Sequence, residues 1–208
     1  MTGSNLNNEA PRGNNQHLNA AVRDLASKGK FQEASALILD QALEPTQSEF
    51  GFVGVLLGGQ TLRLLFHEGL KWHTTINREF YESKMRAYRE QHYLDFNESE
   101  NLVSHVIKHK QPVLSNSPST DQRSGGIPAG HPRLLSFLGV PAIIGNEVVG
   151  MIGLANRASG YTDEERRRVE ELMEAVCTVY RLYVATLREA AAASVGGSSA
   201  SGNADRVA

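Results

Sequence analysis

The most constraining stretch of the chain is LLSFLGVPAIIGNEVVGMIGLANR, residues 134–157. Residues 134–144 and 147–155 read as two extended segments, and Gly145-Asn146 between them supplies the positive φ of a tight hairpin turn. Strict alternation puts Val148, Gly150, Ile152 and Leu154 on one side of the second segment and Val149, Met151, Gly153 and Ala155 on the other. Neither side carries a charge, so both faces must be covered. Helices on one face and something else on the other would do this, and the second face is where a ligand could sit.

Upstream of the hairpin the pattern is mixed. Residues 1–15 are polar and Asn/Gly-rich and read as a disordered tail. From residue 16, Leu18, Val22 and Leu25 form one helical stripe and Phe31, Ala34, Leu37 and Ile38 a second, with Gly29 between them and Pro45 as the stop. Residues 50–57 and 62–68 predict two antiparallel strands around Gly58-Gly59-Gln60, the first apolar enough to lie at the centre of a sheet. An irregular run follows, with a helix over about 78–91, then a helix over 100–110 capped by Asn97 or Ser99, and a short strand over 112–115. Residues 115–132 make the longest loop, long enough to be a lid. Thr162 and Glu165 form a capping box for the last helix. There Val169, Met173, Val176, Tyr180, Tyr183 and Leu187 are spaced alternately by four and three, a coiled-coil-type seam. Residues 190–208 read as a flexible tail, leaving residues 16–189 as a single domain.

Composition narrows the function. A net charge of −2 and no basic run longer than Arg166-Arg167-Arg168, itself set among acids, argue against nucleic acid. A single cysteine, Cys177, leaves no intrachain disulfide and no Cys-rich metal site. No apolar run has membrane-spanning length and the start lacks a signal-peptide core, so the expectation is a cytoplasmic protein.

The residues Ser115-Asn116, Asp121, Arg123, Gly125-Gly126, Pro128 and Gly130-His131-Pro132, followed by FLGVP at 137–141, VVGMIGLANR at 148–157 and GYT at 160–162, resemble the GAF domain. The likeness is to a subgroup common in bacterial sensor kinases and related regulators. It implies an α+β fold: a six-stranded antiparallel sheet, terminal helices on one face, and a ligand pocket under loops on the other. It also implies a small-molecule sensor that dimerises through its terminal helices, which the seam fits, and that signals to a downstream protein. A dimerisation scaffold with a vestigial pocket, and a redox or haem-type sensor, are the competing readings. The ligand or cofactor stays unnamed, because one fold of this kind serves many ligands.

Candidate ligand residues are His131, Arg123 and Asp121 in the lid, His67 at a strand end, Trp72 just beyond it, Phe137, and Asn156. An imidazole, a cation and an anion in one lid suit charge-assisted recognition of a polar ligand; equally, Asp121 and Arg123 pair with each other and His131 serves loop carbonyls. Asn156, Arg157, Tyr161 and the acids 163–165 resemble a degenerate form of the motif of cyclic-nucleotide-binding GAF domains. The simpler reading is an ion pair from Arg157 to a first-turn carboxylate of the last helix. His105 and His109 have metal-ligand spacing but no third ligand and flanking lysines, which favours an exposed polar face. Some GAF proteins use pocket cysteines for chemistry; Cys177, mid-helix beside Val176, reads instead as a buried structural thiol. With no nucleophile, phosphate-loop or paired-carboxylate pattern, the expectation is a non-enzyme.

Overall fold

The computed structural model describes residues 12–69, 82, 86, 88–96, 100–125 and 133–198. Two helices, α1 (Arg12–Ser27) and α2 (Phe31–Thr46), open the chain. Gly29 at φ +74° turns the corner between them. Helix α1 starts four residues ahead of the predicted boundary. Pro45 lies within the last turn of α2 rather than beyond it. The stop is Gln47 at φ 52°, with Gln47 N–H bonding to Glu44 O and Ser48 N–H to Leu43 O, a Schellman closure.

The six strands are β1 (Phe50–Leu57), β2 (Thr61–Glu68), β3 (Leu94–Phe96), β4 (Val113–Ser115), β5 (Phe137–Ile144) and β6 (Glu147–Ala155). They form one sheet in the order β3-β2-β1-β6-β5-β4, antiparallel at every junction. This is the α+β architecture expected, with β1 and β6 at its centre. Gly145, at φ +63°, occupies the first central position of the β5–β6 turn, while Asn146 keeps negative φ; this is the type II′ arrangement. Strand β3 falls within the run read as irregular. It is short, and it is held in register opposite β2 by Arg63 and Asp95, which face each other.

The simple alternation in β6 needs correction. Pairing passes from Ala142–Gly150 to Ile143–Val148, so Val149 is an extra residue, a β-bulge. Val149 therefore joins Ile152 and Leu154 in the core beneath the helices, and Val148 joins Met151 on the opposite face. A one-residue insertion reverses the facing of everything beyond it. A second bulge at Leu65 does the same in β2.

The helix-side core is built from Val22, Ile38, Leu39, Val53, Leu138, Ile152, Leu154 and Val176, all inaccessible to solvent. The other face is lined by Leu62, Leu64, Phe137 and Met151, and α3 (Leu102–His109) packs on it through Leu102 and Val106. Asn101, not Asn97 or Ser99, caps α3: its side chain accepts from Ser104 N–H, and Ser104 Oγ returns the bond to the Asn101 backbone.

The last helix is broken into α4 (Asp163–Glu170) and α5 (Met173–Ser198) at Glu171-Leu172. The Thr162–Glu165 capping box forms as expected. Helix α5 runs past residue 190, where the sequence suggested a flexible tail; alanine is the best helix former, and the run 190–193 carries the helix on. The seam also divides. Val169, Val176 and Tyr183, seven apart, are buried in the chain's own core, so they are not a dimer surface. Met173 and Tyr180 are only partly buried and Leu187 is exposed, forming the stripe that remains on the outside.

Candidate functional site

The face of the sheet away from α1, α2 and α5 carries the candidate site. Register sets its floor. Phe52 on β1 lies between His67 on β2 and Gly153 on β6, and Gly153 lies beside Gly139 on β5, so these four positions form one row across the sheet. Because Gly153 has no side chain, the Phe52 ring settles onto it; a Cβ there would stand 2.4 Å from the ring. Val106 of α3 fills the space over Gly139, whereas Phe52 and His67 at the other end of the row are only half-buried.

His67 is the polar group on this floor. Its imidazole packs against Tyr88 with ring centroids 4.7 Å apart. Nε2 is buried and has no hydrogen-bond partner among the described residues. Burial lowers its pKa, so the ring is neutral near pH 7 and offers one donor and one acceptor. A buried polar atom left without a partner costs free energy unless a ligand or water supplies one.

The described ends of the loop between β4 and β5 are each held by side-chain hydrogen bonds. At the near end, Asp121 and Arg123 form a two-point ion pair, with Nε to Oδ1 at 2.9 Å and Nη2 to Oδ2 at 2.7 Å. The same guanidinium donates to Leu114 O of β4 at 3.0 Å. Its charge and hydrogen bonds hold the Asp121 carboxyl well below the usual carboxylate range. Gly125 then passes so close to the Glu100 carbonyl that a Cβ would clash with it. At the far end, Asn156, in the left-handed region at φ 62°, accepts from Leu135 N–H at 2.8 Å and donates to Arg133 O at 2.8 Å and Glu49 Oε2 at 2.9 Å.

The candidates named from sequence thus fall into groups. His67 and Phe137 lie on the open face of the sheet, where Phe137 is buried in its core. Asp121, Arg123 and Asn156 have their polar atoms engaged at the two described ends of the loop between β4 and β5. Trp72 and His131 lie outside the described residues, as does most of the predicted helix over 78–91, of which Glu82, Arg86 and Tyr88–Gln91 are helical. Phe52, Gly153 and Tyr88 were not singled out. Phe52 was findable from the alternation FGFVGVLL, while nothing local to Tyr88 announces its place beside a strand 21 residues earlier.

The neighbouring motif behaves structurally. Arg157 reaches Glu165 of the capping box at 3.1 Å and donates to Gly160 O at 2.7 Å, the ion pair to a first-turn carboxylate expected from sequence. Tyr161 is buried, its hydroxyl 2.7 Å from Ser48 Oγ and its backbone bonded in both directions to the Asn116 amide. Cys177 is buried on the helix side, with Sγ 3.7 Å from Ile143 O, and burial raises its pKa; it faces away from the candidate site. His105 and His109 stack on each other at 4.0 Å, and among the described residues no group of three His, Cys, Asp or Glu side chains is placed to hold a metal. No helix among them is long and apolar enough to cross a membrane.

Comparison with known proteins agrees with this geometry. The chain is 23% identical over 168 residues to the methyl sulfide methyltransferase-associated sensor of Methanosarcina acetivorans; the match takes in 79% of this chain but 16% of that much longer protein. Among solved structures, the GAF domain of a phosphoenolpyruvate-protein phosphotransferase from Acinetobacter superposes with a TM-score of 0.60 at 17% identity, over 85% of this chain and 97% of that one. The type II free methionine-R-sulfoxide reductase of Thermoplasma acidophilum gives 0.53 at 15% identity, over 77% and 96%. At such identities these two show the fold alone. The family model of the GAF domain matches residues 30–177, more than half of the chain, and this chain therefore belongs to the GAF domain family.

Proposed function

We propose that this GAF domain is a sensory and regulatory module of a signalling system, binding a small molecule over Phe52 and His67 beneath the lid. The observation that carries the reading is His67: a neutral imidazole on an otherwise apolar floor, with a buried Nε2 that lacks a partner among the described residues. An apolar pocket with one placed polar group is the usual design of a small-molecule site. The similarity to a sensor supports the signalling role. The position of Cys177 supports binding rather than cysteine chemistry, since its thiol lies across the sheet from the floor. The module works in the cytoplasm and passes its state to a downstream protein.

Dimerisation belongs to the same proposal, with its surface revised. The outer stripe of Met173, Tyr180 and Leu187 repeats every seven residues and is what α5 has left to offer a second copy. Leu187→Glu should convert a dimer to a monomer in sedimentation analysis. A wild-type chain that stays monomeric at high concentration would remove this part.

Binding is tested by native mass spectrometry of the purified protein, followed by thermal shift with the compound it releases or with a metabolite panel. A ligand at about one hundred times its Kd adds about 2.7 kcal/mol of stability. His67→Phe and Phe52→Ala should abolish the shift while the proteins remain folded. A ligand whose shift is unchanged in both variants would place the site elsewhere.

A further inference from the structure

Residues 156–162 connect β6 to α4. On one side this connector holds both described ends of the loop between β4 and β5. Asn116, the first residue after β4, lays its amide along the backbone of Tyr161, accepting from Tyr161 N–H at 2.7 Å and donating to Tyr161 O at 2.9 Å, as one strand pairs with another. Gly160, at φ +74°, makes room for it: a Cβ there would stand 2.8 Å from Asn116 Oδ1. The other end of the loop is bound through Leu135 N–H to Asn156 Oδ1, and through Ser136 Oγ, which donates to Arg157 O at 3.2 Å.

On the other side the connector reaches the helical layer through the Tyr161 side chain, which is 2% exposed. Its hydroxyl stands 2.7 Å from Ser48 Oγ, which in turn stands 2.7 Å from Thr46 Oγ1. Thr46 donates to Ala42 O at 2.5 Å. Each hydroxyl carries one proton. Because that of Thr46 goes to a carbonyl, Ser48 must donate to Thr46, and Tyr161 to Ser48. The direction of the chain is therefore fixed, from Tyr161 to the last turn of α2. Burial raises the Tyr161 pKa, so the proton on which the chain depends stays in place. Ser48 also donates its backbone N–H to Leu43 O, so it holds the end of α2 by side chain and backbone together. Helix α2 in turn packs on α4 and α5.

We propose that Tyr161 is a positioning residue that couples the β4–β5 loop to the end of α2, held by Asn116 at its backbone and holding Ser48 by its hydroxyl. This rests on the sensory reading above for its purpose, though not for its existence: a ligand that shifts the loop is felt in the helical layer. A displacement of Asn116 moves the Tyr161 backbone, the close-packed ring follows, and the hydroxyl draws on Ser48.

The test is hydrogen exchange on ligand-free protein. Asn116→Ala removes the loop's hold on Tyr161, and the reporter is the Ser48 amide, which bonds to Leu43 O at 3.1 Å. The Ala34 amide, bonded to Lys30 O near the opposite end of α2, corrects for any general loss of stability. Members of one hydrogen-bond network deviate from independence by several-fold in an equilibrium constant. The expected result is Ser48 exchange about fivefold faster relative to Ala34, falling below about twofold when the same substitution is made in Tyr161→Phe, which keeps the ring and removes the hydroxyl. No acceleration with Tyr161 present, or acceleration that survives Tyr161→Phe, overturns the proposal. Should Asn116→Ala not fold, Ser48→Ala supplies the reverse measurement at the Asp121 amide, which bonds to Ser117 O at 3.1 Å. It should speed exchange there, again relative to Ala34, with Tyr161 and not with Tyr161→Phe; equal acceleration in both backgrounds, or none in either, overturns the proposal. Failure of the two readings is distinguishable. Coupling in a protein that binds no small molecule sinks the sensor and leaves the link, while binding without coupling does the reverse.

Discussion

Asn156 can be either a ligand contact or the anchor of the lid, and the structure makes opposite predictions for the two. As an anchor it contributes three side-chain hydrogen bonds, to Leu135 N–H, Arg133 O and Glu49 Oε2, and it occupies φ 62°. At roughly 0.5–1.5 kcal/mol per bond, and toward the low end because the site is only half-buried, their loss costs about 2 kcal/mol. Asn156→Gly tolerates the backbone and should lose about that much, plus a few tenths to ~1 kcal/mol for the freer unfolded chain. Asn156→Ala loses the same bonds and must also hold an alanine in the left-handed region, a further ~1 kcal/mol, for a total near 3 kcal/mol. Asn156→Asp keeps the acceptor for Leu135 N–H but turns a carboxylate on the Arg133 carbonyl and the Glu49 carboxylate, and should be at least as damaging as alanine.

The assay is urea unfolding of the three variants beside the wild type, with hydrogen exchange at the Leu135 amide as the local reporter. The expected order of stability is wild type, glycine, alanine, aspartate, with Leu135 exchange accelerated in glycine and alanine. Alanine at wild-type stability, with Leu135 still protected, would refute the anchor. If such a variant also lost ligand, Asn156 would return to the list of contacts.

Three further outcomes follow from named contacts. Asp121 has a carboxyl held below its usual range by Arg123, so its contribution is present above the ordinary carboxylate pKa of about 4 and fades as pH falls through the folded value. The stability gap between wild type and Asp121→Asn, followed by denaturation from pH 7 downward, should therefore narrow in acid; a gap that widens would refute the pairing. Arg63→Met removes a two-point ion pair with Asp95 at 2.7 Å, a 3.0 Å bond to the Tyr183 hydroxyl and the stacking of the guanidinium 3.5 Å over Tyr93. A loss of about 2 kcal/mol in urea unfolding is expected, because half-exposed Asp95 can rehydrate; no measurable loss would show the cluster to be ornamental. Cys177, buried with a raised pKa, should react with a thiol-disulfide reagent only as fast as the helix opens, and an immediate native reaction would place it on the surface.

What was legible in the sequence had a local cause. The β5–β6 hairpin was visible because Gly145-Asn146 sits between two apolar runs, and the capping box at Thr162 because its two residues are three apart. The bulge at Val149 was not, because an inserted residue in an all-apolar strand leaves the hydrophobic pattern unchanged while reversing which face each side chain takes. Strand β3 was missed for a related reason: three residues cannot show a period, and what fixes them is a partner on β2 about thirty residues earlier. The seam of the last helix was read correctly as a stripe and wrongly as a single surface. Four-three spacing is satisfied equally by a helix buried against its own sheet on one side and exposed on the other, and only tertiary packing assigns Val169, Val176 and Tyr183 inward. In the site, the identity of His67 was legible, but its orphaned Nε2 and its contact with Tyr88 are properties of the fold.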